Sequence, residues 1–218
     1  MDYPFDTLPG TLIAGVFFGM MGFGLVVLAQ TFARDMRRRR ELRQLAETRQ
    51  WRFLGYLASD HRDPYTRFEE VSWAVLLRNV VEGREREFDF SLIEYCVTPR
   101  HWNTGALVQL DVAPVACRIE FCRSGGGSSV RGMEQATTKI GLRAAAALRK
   151  IGALLDSHSM NGLIVQIDSG ALLVRALRSP LEAQESLSLL EAAFSLSTAV
   201  VDDERAARAT RDGARRPG

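Results

Sequence analysis

LIAGVFFGMMGFGLVVLA, residues 12–29, contains only apolar side chains and glycine, inside a run of 27 uncharged residues from Thr7 to Ala33. At about 1.5 Å per helical residue that length crosses a hydrocarbon layer of about 30 Å. Lipid offers no partner to an exposed backbone amide, so a span here has to be helical. Glycines at 15, 19, 22 and 24 are compatible with it, because membrane helices carry more glycine than soluble ones. A cleaved secretory signal places its cations before the apolar stretch. Here Asp2 and Asp6 precede it, and Arg34, Arg37, Arg38, Arg39 and Arg40 follow. That order is a stop-transfer arrangement, and because basic flanks stay in the cytoplasm it predicts an outward N-terminus and an inward remainder.

Working outward, the arginine run is expected to lie at the lipid headgroups, where it fixes orientation. A regulated or lipid-specific role is the alternative. Gly15 and Gly19 form a G-x-x-x-G pair, a candidate packing site for a homodimer through the transmembrane helix, although glycine-rich spans contain that spacing by chance. Residues 34–50, RDMRRRRELRQLAETRQ, lack Gly and Pro and are rich in helix formers, which predicts a basic juxtamembrane helix. Leu42, Leu45 and Ala46 give it a narrow apolar stripe.

The whole chain has 218 residues, 46% apolar and 25% charged, with a formal charge of +2. That composition excludes collagen-like and wholly disordered classes, and the balance of charge gives no reason to expect nucleic acid. Three cysteines, Cys96, Cys117 and Cys122, fit a reducing compartment better than a disulfide framework.

Beyond Trp51, apolar alternation punctuated by turns predicts an α+β fold with a mainly antiparallel sheet of hairpins and two or three packed helices. A strand is expected from Val71 to Val81, a turn at Glu82-Gly83-Arg84, and a second strand over Glu87 to Val97 with Phe88, Phe90 and Leu92 on one face. A second hairpin is expected to join Ala106–Val112 to Val115–Cys122 across Ala113-Pro114. SGGGSS, 124–129, reads as a flexible loop before a helix over 134–157. Leu163–Ile167 and Ala171–Ala176 form a third hairpin, and Pro180 opens a helix to about Val200 with Leu181, Leu187, Leu190, Ala193 and Phe194 inward. The expected organisation is an outward N-terminus and span (1–33), the basic helix (34–50), a cytosolic α+β domain (51–201) and a disordered tail (202–218).

Several stretches carry a resemblance: QWRF (50–53), RNVVEGREREFDFSL (78–92) and NGLIVQIDSGALLVRAL (161–177), the last followed by a proline-initiated, leucine-rich helix. In this order they resemble a widespread group of uncharacterised bacterial single-pass membrane-anchored proteins, over about two-thirds of the chain. The middle, with its glycine-rich loop and alanine-rich helix, departs from them. The resemblance implies architecture and a bacterial cytoplasmic (inner) membrane, and brings no catalytic residues. Twenty-six arginines against two lysines, Lys139 and Lys150, also fit a bacterial source.

No constellation for chemistry stands out. His61, His101 and His158 are far apart, and no HExxH or CxxC occurs. Cys117 and Cys122, five apart, fall on opposite faces of one strand and cannot share a metal. Cys96 with His101 makes a nucleophile and base only if the chain folds back between them. Asp60-His61-Arg62-Asp63 reads as a solvated turn, and the glycine loop lacks the P-loop order. Arg84, Glu85, Arg86 and Glu87 crowd the first hairpin turn, as a soluble edge or a docking surface. Trp51 and Trp73 are expected in the core, and Trp102, in the loop PRHWNTG, is a candidate partner anchor. The sequence therefore predicts a non-catalytic accessory protein without metal or cofactor, contacting membrane lipids and a protein partner. A lipid- or ligand-binding surface sensor is the alternative, with a tethered cysteine or histidine hydrolase behind it.

Overall fold

The structure, a computed structural model, describes residues 10–57, 68–74, 76–98, 101–112, 114–124, 127–131, 140–157, 160, 162–168, 170–177 and 180–214. Helix α1 runs over Gly10–Thr48. It is long and apolar enough to cross a membrane, and its most apolar window has no buried residue. The chain divides into two compact units within this helix, between Glu41 and Leu42. The apolar stripe beyond that point is packed, since Leu42 and Ala46 belong to the core of the second unit. Gln50, in the left-handed region at φ 59°, ends the helix, and the Trp51 amide donates back to the Ala46 carbonyl at 2.8 Å. This is the αL stop for which glycine is the usual residue.

The second unit is α+β. Its strands are β1 (Arg52–Leu57), β2 (Leu76–Glu85), β3 (Phe88–Thr98), β4 (His101–Gln109), β5 (Cys117–Ser124), β6 (Gly127–Arg131), β7 (Gly162–Asp168) and β8 (Ala171–Ala176). They form one antiparallel sheet in the order β1-β2-β3-β4-β8-β7-β5-β6. Beside one turn of helix, α2 (Glu69–Ser72), the unit contains α3 (Leu142–Ser157) and α4 (Ala183–Ala214). Ala144, Leu148, Ile151 and Leu155 recur at helical spacing on α3, and with Leu190, Ala193 and Phe194 of α4 they join the inward residues of the sheet in one core. At its centre Trp51, Phe90 and Phe194 stack edge to face, with centroids 4.8 and 5.3 Å apart. The opposite face of the sheet carries a smaller cluster in which Phe68 and Val71 pack with Leu77, Ile93, Tyr95 and Leu107.

Several expectations hold. Phe88, Phe90 and Leu92 share the core face, the Leu163–Ala176 hairpin forms, and Leu181, Leu190, Ala193 and Phe194 are buried with Leu187 partly so. Others are corrected. The segment beginning at Val71 starts as α2, and the strand begins at Leu76. Trp73, expected in the core, is exposed. The first hairpin turns at Arg86-Glu87, and β4 pairs with β3 and β8, whereas β5 pairs with β7 and β6. Part of the glycine loop is strand, because Gly127–Arg131 pairs with β5. The tail does not fray at Asp202, since α4 continues to Ala214. Its acids and bases explain this. Asp203 accepts the Ala144 amide of α3 at 3.0 Å, and Arg205 reaches Asp111 at 2.7 Å.

Glu85 pairs with Phe88, so Arg86 (φ 52°) and Glu87 (φ 75°) form a two-residue turn with both residues left-handed. Asn-Gly is the favoured pair there, because a side chain in that region is strained by about 1–2 kcal/mol. Replacing Arg86-Glu87 by Asn-Gly is expected to stabilise the domain by about 1 kcal/mol. The exposed Arg86–Glu191 pair at 2.6 Å that it removes contributes little. Chemical denaturation of the full chain checks the sign.

Candidate functional site

Directly opposed residues of neighbouring strands share a face, so the register lays out one row across the sheet: Tyr56, Arg78, Glu94, Thr104 and Ala176. The next row is Leu76, Cys96 and Trp102. Burial is graded along the first row. The inner end is covered where the chain enters α4, and the Leu181 amide donates to the Thr104 hydroxyl at 3.1 Å. Glu94 is 1% exposed, the Arg78 side chain 14%, and Tyr56 56%.

A buried carboxylate is tolerated only when it is paired and hydrogen-bonded. Arg78 Nε donates to Glu94 Oε2 at 3.1 Å, and Asn79 Nδ2 donates to the same oxygen at 3.0 Å. Asn79 reaches it from a β-bulge in β2, where it adopts φ 51°. Asparagine is among the residues that tolerate this conformation best. The Arg78 guanidinium in turn lies 3.6 Å from the centroid of the Trp102 ring. A costly buried charge, a left-handed bulge residue and a stacked cation thus converge beneath a surface formed by Tyr56, Leu76 and Trp102. On the opposite face a second buried guanidinium, Arg175, donates to the Tyr95 hydroxyl at 3.1 Å.

No family model and no curated protein matches the chain. Among solved structures, the crystal structure of the mycobacterial trehalose monomycolate transport factor A, TtfA, is similar at 14% identity and a TM-score of 0.49, covering 75% of this chain and 96% of that one.

Of the residues singled out from sequence, Trp102 lies in β4 and not in a loop, and it is brought against Arg78. The arginine run divides. Arg34, Arg37 and Arg40 are exposed at three-residue spacing, so they share a helix face. Arg39 is half-buried, and Arg38 is 6% exposed and bound to Asp35 at 2.8 Å. Arg38 lies on the stripe continued by Leu42 and Leu45. Gly15 and Gly19 have open space over both positions. The chain does fold back after Cys96, but Trp102 stands opposite it and His101 pairs with Thr98. Cys117 faces the core beside Ile119, Cys122 lies on the other face, and none of the three is in a disulfide. Among the described residues no group of three His, Cys, Asp or Glu is placed to hold a metal. His61, His158 and the Asp60–Asp63 turn lie outside the described residues.

A cleft of about 690 Å³ is lined in part by Arg84, Arg86, Glu87, Asp111, Asp202 and Arg205. Two of its cations are paired within the fold, since Arg205 binds Asp111 and Arg86 binds Glu191. They fasten α4 to the sheet and leave no sign in excess.

Sequence reasoning missed Tyr56, Leu76, Arg78, Asn79 and Glu94. One signal was present: Glu94 continues the inward alternation of Phe88, Phe90 and Leu92, and a carboxylate on a buried face implies a cation opposite.

Proposed function

We propose that the protein is a non-catalytic, membrane-anchored accessory factor whose α+β domain binds a protein through the Tyr56–Leu76–Arg78–Trp102 surface. The observation that carries this reading is the arrangement beneath the surface, where buried Glu94 and the Asn79 bulge fix Arg78 against an aromatic ring. Tyr, Trp and Arg are the residues in which binding energy concentrates, and a side chain fixed in advance loses less entropy on binding. Glu94 accepts two donors at one oxygen and is closed in by the sheet, which suits it to holding Arg78 in place. The uncharged run of α1 supports the anchor, and the cations that follow it support a bacterial cytoplasmic membrane with the domain inside.

Affinity purification of the full chain from mild detergent tests the reading. Trp102→Ala is expected to lower the recovered partner by roughly 10–30-fold, the loss of a binding hot spot. Leu142→Ser, at an exposed position on α3, is expected to leave it unchanged. Equal recovery from both variants overturns the assignment. A second reading, a sensor of anionic lipid, is favoured by the shared face of Arg34, Arg37 and Arg40, each cation contributing about 1 kcal/mol near an anionic leaflet.

A further inference from the structure

We draw no further inference here: the strongest candidate, the open groove of about 360 Å³ between α3 and α4 lined in part by Ala147, Ile151, Leu154, Leu187 and Ala192, is an apolar face for which nothing in the structure shows what covers it.

Discussion

Glu94→Leu is expected to destabilise the domain by about 3 kcal/mol. Breaking a buried ion pair from one side costs about 3–5 kcal/mol, because the remaining charge stays in a place built for its neutralised form. Arg78 retains some solvent and its Trp102 ring, which holds the loss to the low end of that range. Asn79 suffers too, since its left-handed backbone is then held without the hydrogen bond that its side chain makes. The informative companion is the double variant Arg78→Met with Glu94→Leu. Replacing a whole buried pair by apolar groups of similar volume is often neutral, so the double variant is expected within about 1 kcal/mol of the parent. A denaturation cycle over parent, singles and double measures the coupling. A double variant as unstable as Glu94→Leu would show that Glu94 acts through shape and not through charge. If it folds well but no longer binds a partner, recognition and stability are separated at a single site.

Phe194→Ala is expected to lose about 3–5 kcal/mol, the range for emptying an aromatic site in a packed core. Phe194 is fully buried, and it is the α4 end of the edge-to-face stack that runs through Phe90 to Trp51. The site has little freedom to collapse. Gly83 lies so close beneath the stack that a Cβ there would stand 2.7 Å from Trp51 and 2.9 Å from Phe90. The rings are thus already pressed against backbone on one side, and removing Phe194 leaves a void on the other. At roughly 2–4 °C per kcal/mol for a domain of this size, the unfolding temperature is expected to fall by on the order of 10 °C. Phe194→Leu, which refills most of the volume, is expected to lose less than half as much. A loss below about 1 kcal/mol for Phe194→Ala would mean that α4 is not fastened to the sheet through this ring.

What could be read from the residues was which face of each element is buried. The alternation of Phe88, Phe90 and Leu92 and the spacing of Leu190, Ala193 and Phe194 are local, and both are found as expected. The 163–176 hairpin was legible because its two strands are joined by a short turn, which fixes partner and register together. The pairing of β4 was not legible. Periodicity says that Ala106 and Val108 face the core, but β5 and β8 present equally apolar inward sides, and the choice of β8 is made by residues more than sixty positions away. Trp102 could be named from its type, yet its stacking partner depends on the register of β2 against β3, which the Asn79 bulge shifts. The tail misled by composition. DDERAARATRD is polar, but alanine, arginine and glutamate are good helix formers, and Asp203 and Arg205 find partners on α3 and on the loop after β4.

The pairing of β4 with β8 also sets a timetable for biosynthesis. The first four strands follow one another as a meander, but the strand that closes the meander's inner margin comes from the far end of the gene. About 60 residues separate Gln109 from Ala171, which at roughly 5–20 residues per second keeps that margin open for several seconds of translation. During that interval a nascent chain already threaded into the bilayer carries an unsatisfied ladder of amides and carbonyls next to other emerging chains, and a ribosome stalled between the two strands would leave it in the form most prone to aggregate.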